Sequence, residues 1–75
     1  MSSPFIPPKT INKMAVLGIS ESHVLDVFNR GEQIVLSSGM KAVVKKYVGY
    51  EIGVGYTQNE KGQYVITAVW KRERR

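Results

Sequence analysis

The chain has 75 residues, with eleven Lys plus Arg against six acids, one His, no Cys and a formal net charge of +5. That length allows one small domain burying roughly 60–65% of its unfolded surface, and the missing cysteines exclude a disulfide framework and any thiolate metal site. No apolar run approaches the ~20 residues that span a bilayer, the lack of cysteine fits a reducing cytoplasm, and the basic balance points to a polyanionic partner, above all nucleic acid.

Residues 1–8, MSSPFIPP, hold all three prolines and read as an extended leader without the basic and apolar regions of a signal peptide. Residues 9–75 read as a single domain. Ile11, Met14, Ala15 and Val16 recur at helical spacing, with Lys9, Asn12 and Lys13 on the polar side, predicting a first helix over 8–17 that ends at Gly18. Ser20 is a good N-cap for a second helix, with Glu21 in its first turn, Val24, Leu25, Val27 and Phe28 as its apolar stripe, and Gly31 at its end.

After Gly31 the apolar period changes from 3.6 to 2. The pattern predicts strands over 33–37, 40–48, 50–57 and 64–70, joined by turns at Ser38-Gly39, Gly49 and Asn59 to Gly62. The expected fold is therefore α+β: two N-terminal helices packed on a four-stranded antiparallel sheet. A monomer or weak dimer is the expected state. The last strand is apolar on both parities, Tyr64, Ile66, Ala68 and Trp70 against Val65, Thr67 and Val69, so it is expected inside the sheet. It runs into Lys71, Arg72, Glu73, Arg74 and Arg75, which carry +3 of the formal charge.

Gly53 and Gly55 lie on one face of the third strand, which implies a close approach to the backbone there. Either a helix packs tightly over them or the strand is strongly coiled, or else a nucleic-acid backbone or a flipped base lies on them. His23 has neither a second His nor an acid cluster beside it and reads as a surface or half-buried helix residue, leaving no zinc or Ser-His-Asp chemistry. Paired carboxylates and phosphate-binding glycine loops are also missing. What remains is basic and aromatic. Lysines and arginines interleaved with tyrosines on a sheet suit single-stranded RNA, charges for phosphates and rings for bases, or else fill a small core and guard sheet edges.

The runs KTINKMAVLGISESHVLDVFNRGEQ, KKYVGYEIGVGY and YVITAVWKRERR resemble a small bacterial family of uncharacterised domains placed near the RelE, barnase, EndoU and colicin D ribonuclease-toxin superfamily. The shared features are a helix ending in Gly-Ile-Ser, a second ending in Gly-Glu, a Tyr- and Gly-rich strand and a final Val-Ile-Thr strand, covering about Lys9 to Arg72. The resemblance implies a RelE-like fold, RNA as the substrate (often tRNA or ribosome-bound mRNA), cleavage without metal or cofactor, and an acidic antitoxin or immunity protein as a partner. The family's first helix usually carries a His and, four residues on, an Arg. Counting back from Gly18-Ile19-Ser20, Lys9 and Lys13 stand in those places here.

The implied chemistry is attack of a 2′-hydroxyl on its own phosphodiester, which needs a base, a leaving-group acid and cationic stabilisation. On that reading the catalytic candidates are Lys9, Lys13 and Thr67. The nucleic-acid-binding candidates are Lys45, Lys46, Tyr47, Tyr56, Lys71, Arg72, Arg74 and Arg75. The alternatives are a non-enzymatic interaction module, such as a host-protein inhibitor or mobile-element accessory protein, and a DNA-binding accessory domain.

Overall fold

The computed structural model describes residues 4–73. Helix α1 (Pro8–Leu17) opens on a proline whose missing N–H is no loss in a first turn, and closes on Gly18 at φ +71°, a left-handed conformation that an L side chain strains to reach. The Ile19 N–H then returns to Met14 O at 2.9 Å. Helix α2 (Glu21–Arg30) begins with a reciprocal cap: the His23 N–H donates to Ser20 Oγ at 3.2 Å, and the Ser20 N–H donates to His23 Nδ1 at 3.3 Å. The lone histidine takes the place that Glu or Gln fills in most such boxes.

Four strands follow, β1 (Glu32–Val35), β2 (Lys41–Tyr47), β3 (Tyr50–Gln58) and β4 (Tyr64–Glu73), in an antiparallel meander of spatial order β1-β2-β3-β4. Both helices lie on the same side of the sheet, α1 along β4 and α2 across β2 and β3. Val24 and Val27 of α2 meet Val43, Ile52, Val54 and Ile66 in one core.

Three expectations are corrected. First, β4 is an edge strand; the central positions belong to β2 and β3. Its apolar character on both parities has another cause, a bulge. Tyr56 pairs with Ile66 but Gly55 pairs with Ala68, so Thr67 is an extra residue and the inward parity shifts from Ile66 to Val69. Part of the exposed edge is covered by the leader. Phe5 bridges Val65 in parallel, donating to Tyr64 O and accepting from the Ile66 N–H, both at 2.9 Å.

Second, α1 turns a different stripe inward. Thr10 and Met14 are buried and Leu17 is half-buried, whereas Ile11 is 49% and Val16 79% exposed and Ala15 also faces outward. Adjacent helical stripes differ by about 100°, and the Thr10 hydroxyl decides between them by donating to Ile66 O on the β4 edge at 2.8 Å.

Third, among the described residues no helix covers Gly53 and Gly55. They face away from both helices, and the indole of Trp70, the cross-strand partner of Gly53, lies over Gly53 while Met40 Sδ lies over Gly55. The glycines accommodate side chains of the sheet itself. Residues 71–73 also belong to β4, opposite Tyr50 to Ile52, so the basic run begins as paired strand.

Candidate functional site

The three catalytic candidates come together. Lys9, Lys13 and Thr67, the last more than fifty residues from the others, line one shallow depression of about 290 Å³ with Thr10, Ala68 and Val69. Lys9 and Lys13 stand four apart on the exposed side of α1, the spacing that puts two side chains on one helix face. The β4 bulge brings Thr67 to the surface beside them. Its Oγ1 is held only by long contacts, 3.5 Å to Gly55 O and 3.7 Å to Met40 Sδ. The neighbouring Thr10 hydroxyl is occupied by Ile66 O.

No acidic residue lines this depression, and the first turn of α1 contains none. Two ammonium groups thus stand beside a helix start whose partial positive charge is not neutralised. The arrangement costs the isolated helix some stability and favours an anion. Chemically it offers two cationic donors and a hydroxyl within one small concavity, a set suited to a phosphodiester.

A second group forms at the other end of the helix-covered face, and it is closed on itself. Lys45 Nζ and the Tyr47 hydroxyl (2.8 Å) both donate to Asp26 Oδ2, and Arg30 Nε lies 3.7 Å from Oδ1. The hydrogen bond from Lys45, then that from Tyr47, holds the Asp26 carboxyl below its usual range. Burial, reinforced by the bond to Asp26, pushes the Tyr47 phenol up to about 12. The Tyr47 ring stacks on Tyr50 at 5.1 Å, and Lys71 Nζ sits 4.9 Å from the Tyr50 centroid. Lys45 and Tyr47 are therefore turned to Asp26, while Lys71 is exposed over a ring.

The remaining candidates divide between core and surface. Tyr56 is 8% exposed, and its ring meets Phe28 and Tyr64 edge-on. Its ring is therefore packed mainly against other rings, which leaves little of it to stack on a base. Lys46 and Arg72 project from the helix-free face, where each is a cross-strand partner of Glu51 and Arg72 Nη1 lies 3.9 Å from Glu51 Oε1. Arg74 and Arg75 lie outside the described residues.

Sequence reasoning passed over two participants. Asp26, nineteen residues before Lys45, carries no local sign of its partners. His23 acts as a cap, which its position three residues after Ser20 could have suggested. Among the described residues no helix is long and apolar enough to cross a membrane, and no three His, Cys, Asp or Glu side chains are placed to share a metal. Comparison with protein-family models, with curated proteins and with solved structures gave no match.

Proposed function

We propose that this protein is an RNA-binding domain of the RelE-like ribonuclease group, with the Lys9–Lys13–Thr67 depression receiving a phosphodiester of the RNA. The observation that carries the reading is the convergence of those three residues on one concavity free of acidic side chains. In a chain of net charge +5, an uncompensated cationic pair beside a hydroxyl favours a polyanion. If the RNA is also cut, one of Lys9 and Lys13 takes the 2′-hydroxyl proton as that oxygen attacks phosphorus, the other gives a proton to the departing 5′-oxygen, and Thr67 donates to a phosphate oxygen of the phosphorane, in a reaction that persists in EDTA.

Binding of a fluorescently labelled tRNA pool at increasing salt tests the proposal, with cleavage followed on gels in EDTA. Two phosphate contacts contribute about 1.4 to the slope of log K against log salt for single strands, roughly 0.7 each. The double substitution Lys9→Ala and Lys13→Ala is expected to flatten the slope by that amount and to abolish any cleavage. An unchanged slope removes the depression from the RNA site.

The interaction-module alternative has one observation in its favour, the outward apolar stripe of Ile11, Ala15 and Val16 on α1. Binding through that stripe would be nearly insensitive to salt and would be lost in Ile11→Ser with Val16→Ser.

A further inference from the structure

The face of the sheet opposite the helices is organised in three cross-strand rows. Lys46, Glu51 and Arg72 form one, Val44, Gly53 and Trp70 the next, and Ala42, Gly55 and Ala68 the third. Trp70 lies in the middle row with one side of its indole against Gly53, where a side chain would leave no room for it. It is half-buried, and among the described residues no element of secondary structure crosses this face. The indole thus rests on the sheet over Gly53 and keeps part of its surface open to solvent.

From this seat we infer that Trp70 is a stacking platform for an unpaired base of a single-stranded nucleic acid crossing the helix-free face. The inference rests on the RNA-binding reading above and adds a second contact point to it. Charge identifies the occupant. Along β4, Arg72 lies about 7 Å to one side of Trp70 and Thr67, with its two lysines, about 10 Å to the other, at ~3.3 Å per residue. Glu51 offsets one charge of the Lys46–Arg72 row and leaves the row net positive. A strand with one base on the indole therefore has cations within reach on both sides. A paired base keeps its rings within the duplex stack, so only an unpaired one can lie on Trp70. Stacking does not depend on the sugar, so RNA and DNA single strands share this chemistry.

Trp70 is the chain's only tryptophan, so its emission reports on this site alone. The full chain is titrated with an oligouridylate of about eight nucleotides, with the matching oligodeoxythymidylate, and with an RNA duplex, reading anisotropy of the labelled strand and tryptophan emission together. Saturable quenching by the single strands at the same Kd as the anisotropy change, and none by the duplex, is expected. Trp70→Ala should weaken single-strand binding by about 10- to 100-fold, with Trp70→Phe in between. Lys9→Ala should weaken binding yet leave the quench at saturation unchanged. Should Trp70→Ala unfold, as judged by circular dichroism, the wild-type quench and Trp70→Phe decide.

Quenching by both single strands supports the platform, and quenching by the RNA alone supports it with an added 2′-hydroxyl contact. Single-strand binding without quenching, and with Trp70→Phe at the wild-type Kd, overturns the platform but leaves the RNA reading intact. Equal quenching by the duplex overturns the unpaired-base assignment. Failure of every nucleic acid to bind at low salt overturns both readings and turns attention to a protein partner for this face.

Discussion

Replacing Gly53 by alanine tests the seat of Trp70 directly. A Cβ built there falls 2.5 Å from Trp70 Nε1 and closer still to Cε2 and Cζ2, below any separation that packed carbons tolerate. Two effects oppose each other. Alanine reduces the freedom of the unfolded chain and favours the strand by roughly 0.5–1 kcal/mol over glycine. Overpacking against a rigid ring costs about 1–3 kcal/mol, because an indole cannot bend out of the way as a methionine can. The second effect wins, for a net loss of about 1–2 kcal/mol from a domain of this size, whose total is roughly 4–11 kcal/mol.

Urea unfolding followed by far-UV circular dichroism should show a midpoint lower by about 1–2 M, taking m near 1 kcal/mol/M, and the folded-state emission of Trp70 should shift to the red as the ring lifts. Gly55→Ala is the internal control. Its Cβ would come within 2.9 Å of Met40 Sδ and 3.2 Å of Ala68 Cβ, and the flexible methionine can retreat. A Gly53→Ala variant at least as stable as wild type, with unchanged emission, would refute the seat and with it the reason offered for the glycine.

Two further outcomes follow from hydrogen bonds. Thr10→Val keeps the shape of the side chain but leaves Ile66 O without its donor, so it should cost about 1–2 kcal/mol in urea unfolding, with Thr10→Ser largely restoring stability. Tyr47, raised from 10.0 to about 12 in the folded state, favours folding while neutral. Its contribution is complete below pH 10 and is lost as pH rises from 10 toward 12. It amounts to about 1–2 kcal/mol once solvent screening is allowed for. Tyr47→Phe should flatten the fall in stability over that window relative to wild type, and parallel curves for the two proteins would contradict the bond to Asp26.

The local elements were legible because their signals are local. Pro8 and Gly18 bracket the first helix, Ser20 and Gly31 the second, and period-2 alternation separated by glycine turns marks the strands. Lys9 and Lys13 were legible as a pair for the same reason, four residues apart on one helix face. Everything that required a contact between distant residues was decided by packing. One extra residue at Thr67 exchanges the faces of β4, sending Val69 into the core and Trp70 out onto Gly53, and no pattern in the strand itself announces it. Which stripe of α1 faces inward depended on a single hydroxyl finding a carbonyl on the β4 edge. Whether a lysine or tyrosine faces solvent depended on Asp26 and on the ring cluster around Tyr56. Sequence determines which residues share a face within one element, because that periodicity is covalent geometry. Only the tertiary structure decides which face meets which neighbour, because that is settled by the register and by the few polar groups that must find partners.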